Sequence, residues 1–213
     1  MNLSLTRPLP IQAVRTLLLC LAMLLPAQAQ EKSPGTPEIS AKARRIHRSA
    51  ILIDGHNDLP WELRKASRGG AELPDLSKPQ PQYATDIPRL RQGGMGAQFW
   101  AAYIPSDTAK TGDAARQTLE QIDLIHRLID RYPNTFELAL TAEDIERIHR
   151  RGKIASLIGI EGGHALENSL SLLRNYHRLG VRYLTLTHAD SLDWADAATD
   201  TPKSGGLSDF GRQ

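Results

Sequence analysis

The feature that most constrains the fold is a repeated alternation of short apolar runs with amphipathic helices. The apolar runs predict four strands. The first begins at residue 51, and the other three cover residues 95–103, 153–161 and 181–188. Between them the sequence predicts helices over residues 111–132, 141–152 and 168–179. Strands that alternate with helices in this way are typical of a parallel sheet covered by helices. Continuous apolar strands also indicate burial on both faces of the sheet.

Local signals set the helix boundaries. Residues 111–132 carry an apolar stripe at helical spacing and are followed by a proline, which ends the helix. Thr141 and Asp144 have the spacing of a capping box, so a helix is expected to begin there. The pair Thr36-Pro37 predicts the start of a first helix. The segment 65–81 is rich in glycine, proline and lysine, so we expect a long loop that helps to build a site.

Side chains that can hold a metal end three of the four predicted strands. His56 and Asp58 follow the first strand, Glu161 ends the third, and His188 ends the fourth. Alternate residues of a strand share a face, so His56 and Asp58 are expected to project together, with Asn57 pointing away. The carboxyl ends of parallel strands meet at one edge, where (β/α) barrels place their active sites. The sequence therefore predicts a site for zinc or a similar divalent ion.

The predicted chemistry of this site is metal-assisted hydrolysis. Glu161 is followed by two glycines and is therefore uncrowded, so that its two oxygens could each bind one metal ion. Two such ions would hold a bridging water, lower its pKa and polarise a carbonyl group. His188 would face the substrate and donate a hydrogen bond to the developing oxyanion.

Each of these residues, taken alone, has a simpler interpretation. A His-x-Asp pair is common by chance, and Asp58 could form a turn before Pro60. Glu161 could cap the helix that follows it, and His188 could be a buried histidine bonded to a backbone carbonyl. The joint occurrence of such residues at three strand ends favours the metal site.

Residues 1–29 have the pattern of a secretory signal peptide. Two arginines precede an apolar block at 16–25, and residues 27–29 offer an A-x-A cleavage site. The block is too short to span a membrane and no second long apolar run follows. We therefore expect an exported, periplasmic or extracellular protein without a transmembrane segment after signal cleavage. Cys20, the only cysteine, lies in this segment, so any metal must be held by His, Asp and Glu.

The charge balance excludes some partners. Without the two arginines of the signal peptide, 24 of the 26 Lys and Arg side chains remain, against 24 Asp and Glu. A net charge of zero gives no reason to expect binding to nucleic acid or to an anionic membrane surface. The whole chain has 213 residues, fewer than the ~250 residues of a closed eight-stranded barrel.

Several segments of the chain resemble the N-terminal half of the membrane (renal) dipeptidases, which are zinc-dependent peptidases on a TIM-like (β/α) barrel. The similar segments are IDGHNDLPW (53–61), KIASLIGIEGGHAL (153–166), YLTLTHADSLDWAD (183–196) and GLSDFG (206–211). The resemblance covers most of residues 40–213. It implies zinc-dependent hydrolysis of dipeptides at a site with two metal ions.

The resemblance also implies a role for each matching residue. His56 and Asp58 match ligands of the first zinc, and Glu161 matches the carboxylate that bridges both zinc ions and is central to catalysis. His188 matches the histidine that contacts the substrate near the scissile bond. His164 matches no ligand, so a structural role is expected for it.

The sequence departs from the family pattern because it ends early. The two histidines that complete the second zinc site of the family, a substrate-binding arginine and an aspartate near the chemistry all lie downstream of the matching segments. We therefore expect residues 30–213 to be a truncated first half of the barrel, with at most one well-formed metal site and no activity alone. Its unpaired sheet edges are expected to favour aggregation or a homodimer.

Two other functions remain open at this stage. The chain could be another metallohydrolase of the amidohydrolase type, although that group usually has His-x-His, and not His-x-Asp, on its first strand. It could also be a non-catalytic secreted protein that keeps the fold and binds a metal or a partner.

Overall fold

The computed structural model describes residues 39–67 and 70–213. The strands are β1 (Leu52–Asn57), β2 (Met95–Tyr103), β3 (Phe136–Leu138), β4 (Ile154–Glu161) and β5 (Val181–Leu184). The helices are α1 (Ala41–Ser49), α2 (Leu59–Ala66), α3 (Ile87–Gln92), α4 (Thr108–Thr111), α5 (Ala114–Arg131), α6 (Ala142–Arg150), α7 (Leu170–Arg178) and α8 (Asp209–Arg212), with a 3-10 turn at Gly163–Leu166. The predicted signal peptide and the helix start at Thr36-Pro37 lie outside the described residues.

The five strands form one parallel sheet in which β4 is central. One edge of β4 pairs with β2 along most of its length, and β1 lies beyond β2. The other edge pairs with β3 near the start of β4 and with β5 near its end. The predicted fold class is confirmed: the chain is an α/β protein with the parallel sheet of a TIM-like barrel, of which it contains a part.

Helix α5 supplies much of the core that covers the sheet. Of the stripe predicted from the sequence, Ile122, Ile125 and Ile129 are buried, whereas Leu119 is 43% exposed. Leu124 and Leu128, which lie beside that stripe, are fully buried. Burying a side chain of this size stabilises the fold by about 1.5–3 kcal/mol. Strand β4 is buried on both faces of the sheet, because every residue from Ile154 to Ile160 is buried. This accounts for the continuous apolar sequence of the strand.

Several observed elements differ from the prediction, and the short helices α3 and α4 are two that were not predicted. Helix α2 begins directly after Asp58, and Pro60 lies in its first turn, a position that proline tolerates because no backbone donor is needed there. Strand β3 was not predicted. Strand β5 ends at Leu184, four residues earlier than expected, so His188 lies in the loop that follows it.

Thr185, directly after β5, makes two hydrogen bonds to the end of β4 and the loop that follows it. The backbone amide of Thr185 still donates to the carbonyl oxygen of Ile160, and its hydroxyl accepts a hydrogen bond of 2.6 Å from the amide of Gly162. The Thr185 side chain thus ties the loop after β5 to the loop after β4. The two loops lie together at the carboxyl edge of the sheet, where the candidate residues are found.

None of the helices within residues 39–67 and 70–213 has the length and apolar character needed to cross a membrane.

Candidate metal centre

The structure brings three of the predicted residues together. Nε2 of His56 lies 3.2 Å from Oδ1 of Asp58 and 3.4 Å from Oε2 of Glu161. One ligand atom from each of the three residues lies within 4.8 Å of the other two. An imidazole nitrogen and two carboxylate oxygens form a donor set suited to zinc and similar divalent ions. We refer to His56, Asp58 and Glu161 as the metal triad.

The end of β1 positions the first two members of the triad. Asn57, between them, points away from the triad: its Nδ2 donates to Oγ1 of Thr85 at 2.9 Å and to Oε1 of Gln98 at 3.2 Å. Side chains therefore alternate here as the strand pattern predicts. Asp58 lies just beyond the strand, at the start of α2. Its side chain is nevertheless on the same side as that of His56.

Glu161 contributes one oxygen in each of two directions. It ends β4, opposite Tyr103 of β2 in the strand register. Its Oε2 faces His56, whereas its Oε1 lies 3.5 Å from Nε2 of His188. The helix-capping alternative does not apply, because the side chain of Ser169 caps the helix that follows. The Glu161 carboxylate is thus available to ligands on both of its sides.

His188 lies beside the triad and is partly exposed. Its ring meets the ring of Tyr103 edge-on, with 5.2 Å between the ring centroids. Trp61 packs edge-on against the same tyrosine, also at 5.2 Å. The arrangement differs from the alternative of a buried histidine held by a backbone carbonyl. It leaves the imidazole accessible next to the carboxylates.

The two glycines after Glu161 have a steric role beyond leaving that carboxylate uncrowded. Gly162 has φ +106°, and a Cβ atom there would lie 2.4 Å from Cε1 of His164. A Cβ atom on Gly163 would lie 2.3 Å from the carbonyl oxygen of Leu186. Glycine is needed at both positions for the chain after β4 to turn and for the loop after β5 to approach it.

His164 is placed as a structural residue. It is buried, and its Nε2 lies 3.1 Å from the carbonyl oxygen of Ile104. Burial lowers the pKa of its imidazole, because the charged form loses its hydration. Its position agrees with the expectation that it is not a ligand of the metal.

Sequence reasoning missed a tyrosine that contacts the triad. The hydroxyl of Tyr183 lies 2.9 Å from Nδ1 of His56, although the two residues are 127 positions apart in the chain. Burial, together with the nearby carboxylates of Glu161 and Asp58, raises the pKa of Tyr183 to about 12. The phenol therefore keeps its proton at neutral pH. No local sequence signal links Tyr183 to His56, because only the order of the strands brings them together.

The chain is similar to a known protein family and to individual proteins of that kind. The family model described as membrane dipeptidase (peptidase family M19) matches residues 40–213. The chain is 47% identical over 182 residues to Dipeptidase ataJ of Aspergillus terreus (strain NIH 2624 / FGSC A1156), a match that covers 81% of this chain and 43% of that protein. It is 45% identical over 164 residues to Dipeptidase 3 of Mus musculus, covering 76% of this chain and 32% of that protein.

A solved structure shows the same fold. The crystal structure of the probable dipeptidase PvdM from Pseudomonas aeruginosa aligns with a TM-score of 0.67 at 22% identity, covering 81% of this chain and 45% of that one. The chain thus spans less than half of the length of each of these three proteins.

Proposed function

Because the chain belongs to the membrane dipeptidase family, peptidase family M19, we propose that it supplies part of a metal site that hydrolyses the peptide bond of dipeptides. The observation that carries this proposal is the metal triad, whose three ligand atoms converge at the carboxyl edge of the parallel sheet. Two of the similar proteins are named dipeptidases, which supports a dipeptide as the substrate of this site.

Zinc is the ion that we propose for the triad. His56, Asp58 and Glu161 would hold it, because zinc binds histidine nitrogens and the carboxylate oxygens of Asp and Glu. When bound, zinc lowers the pKa of a coordinated water and polarises a carbonyl oxygen. The two oxygens of Glu161 face different residues, one His56 and the other His188, which supports a site in which this carboxylate would help to hold a second ion.

The remaining residues of the site are suited to substrate positioning. His188 can donate a hydrogen bond from its imidazole to a carbonyl oxygen that gains negative charge. The rings of Trp61 and Tyr103 form an apolar wall next to it. An open cavity of about 470 Å³ borders His56 and Asp58 and extends to the segment 82–85. Its volume lies within the range of about 300–1,000 Å³ that is typical of small-molecule sites.

We also propose that the protein is exported. This proposal rests on the signal-peptide pattern of residues 1–29. N-terminal sequencing of the protein recovered from outside the cytoplasm tests it, and a mature chain that begins near residue 30 is the expected result. Retention of the segment 16–25 in the exported protein would contradict it.

The metal site is tested by measuring the zinc content of the purified protein and of two variants. We expect His56→Ala and Asp58→Ala each to remove the zinc bound by the triad, because each substitution removes one of three donors. His177→Ala is the matched control, because His177 is an exposed histidine of α7 and is not a member of the triad. Full zinc content in either triad variant would rule out the assignment. Where a preparation hydrolyses a simple dipeptide, both triad variants should also lose that activity.

A further inference from the structure

A tyrosine from a strand that does not neighbour β1 contacts the triad histidine. Tyr183 lies on β5 and His56 on β1, with β4 and β2 between them. The Tyr183 hydroxyl reaches Nδ1 of His56 at 2.9 Å, while Nε2 of the same ring faces Asp58 and Glu161. Both nitrogens of the imidazole are therefore engaged, one with the phenol and one with the carboxylates. The ring is held from both ends.

A glycine makes room for this tyrosine. Gly159 of β4 is paired with Tyr183 in the strand register. A Cβ atom on Gly159 would lie 2.0 Å from Cζ of Tyr183 and within 2.4 Å of both adjacent ring carbons, closer than real Cβ contacts occur. The ring thus lies directly over the backbone of β4, and Phe99 packs against it with 5.2 Å between the centroids. Because Cζ carries the hydroxyl, any side chain at residue 159 would displace the oxygen that meets His56.

We propose that Tyr183 is a positioning residue for His56 as a metal ligand, and that Gly159 is required for this role. A neutral histidine that binds a metal through Nε2 carries its proton on Nδ1, and the partner of that proton sets the tautomer and the orientation of the ring. The phenol oxygen of Tyr183 accepts this proton, which leaves the Nε2 lone pair directed at the space between the carboxylates. The inference rests on the proposed metal site and adds to it a residue outside the triad.

Tyr183→Phe is the direct test, because it keeps the ring over Gly159 and removes only the acceptor. In the full chain, titration with Zn²⁺ in competition with a chelator should show an affinity about 10–100-fold lower than that of the unchanged protein. The unfolding temperature of the metal-free variant should stay close to that of the unchanged protein. Tyr176→Phe is the matched control: it also removes a buried hydroxyl, one that donates to the carbonyl oxygen of Ala165. Zinc affinity should be unchanged in this control.

Gly159→Ala tests the second part of the proposal. Alone, it should weaken zinc binding, because it moves the Tyr183 ring. In the Tyr183→Phe background the same substitution should cause no further loss, because the hydroxyl through which it acts is already absent. Additive losses would show that Gly159 acts by another route.

A spectroscopic measurement reports the hydrogen bond itself. In the zinc-loaded protein, nuclear magnetic resonance with ¹⁵N-labelled histidine should show a slowly exchanging proton on Nδ1 of His56, and Tyr183→Phe should lose it. If the unchanged protein binds zinc but lacks this proton, or if Tyr183→Phe binds zinc equally tightly, the role of Tyr183 is wrong and the metal site stands. If the unchanged protein binds no zinc, the metal site and the positioning role are both wrong.

Discussion

Replacement of Asp86 should destabilise the fold strongly, because this buried carboxylate joins three backbone and side-chain donors. The side chain is 2% exposed. It accepts hydrogen bonds of 2.9 Å from the amide of Gln80, from the amide of Arg89 and from Nε of Arg89. The bond to the Arg89 amide caps helix α3. Thr85, the preceding residue, contacts Asn57 between two members of the metal triad.

The expected loss can be assembled from these contacts. Removing a helix N-cap costs about 1 kcal/mol, and leaving a buried amide such as that of Gln80 unpaired costs about 1–3 kcal/mol. Arg89 loses less, because it is partly exposed and keeps its bonds to the carbonyl oxygens of Gln80 and Tyr83. We therefore expect Asp86→Ala to lower the free energy of unfolding by about 2–4 kcal/mol, which overlaps the range for breaking a buried ion pair. Asp86→Asn keeps one acceptor and should lose about half as much.

The effect should depend on pH in a defined direction. Burial alone would raise the pKa of Asp86, but the amides of Gln80 and Arg89 and the Arg89 guanidinium lower it below its usual value. A carboxylate with a lowered pKa in the folded state contributes its stability above the pKa of the unfolded state. This stability is lost as the pH falls through the folded-state pKa. The difference between the unchanged protein and Asp86→Asn should therefore be full at neutral pH and shrink in acid, below about pH 4.

Urea unfolding of the unchanged protein and of both variants, at neutral pH and in acid, measures these differences. Glu143→Gln, an exposed acidic residue of α6, is a control for the general effect of removing one negative charge. A loss below about 1 kcal/mol for Asp86→Ala at neutral pH would refute the reasoning, because that is the size expected for the helix cap alone. A difference for Asp86→Asn that does not shrink in acid would refute the role of the charge.

Three further predictions follow from the same structure. In a preparation that hydrolyses dipeptides, His188→Ala should lower kcat about 10²–10³-fold and leave the zinc content unchanged; loss of zinc would make His188 a ligand. Thr141→Ala removes the side-chain half of an observed capping box and should lower the free energy of unfolding by about 1 kcal/mol, measured by thermal unfolding. In the described part of the chain β1 has β2 as its one neighbouring strand, and Ile53 on β1 is half-exposed. The purified chain should therefore self-associate in sedimentation experiments, and a monomer at all concentrations would contradict this.

Much of the fold could be predicted because its strands are long and apolar. Strands β1, β2 and β4 and helix α5 each have a strong periodic or continuous pattern, and all were predicted. Strand β3 has three residues, too few for any pattern. Helices α2 and α3 were missed because each has a proline in its first turn, two residues after an aspartate, and aspartate and proline are equally typical of turns. Only the tertiary context decides between the two outcomes.

The proximity of the three triad residues could be predicted on physical grounds. The contacts around the triad could not be predicted from the sequence. Strand alternation and the common edge of parallel strands are enough to bring His56, Asp58 and Glu161 near one another, although their role as ligands stays a prediction. The contact between Tyr183 and His56 requires the strand order β1-β2-β4 with β5 beside β4. It also requires the absence of a side chain at Gly159. Neither condition has a signature in the sequence near Tyr183.

The central position of β4 has a consequence for local opening of the sheet. In native-state hydrogen exchange, frayed ends and loops open first and buried central strands open last. The amides of β4, which is buried from Ile154 to Ile160 and has neighbours on both edges, should exchange most slowly. Glu161 ends this persistent strand, whereas His188 lies in a loop. The Glu161 carboxylate is therefore held by the last part of the sheet to open, and the histidine proposed to meet the substrate is held by a segment that can adjust.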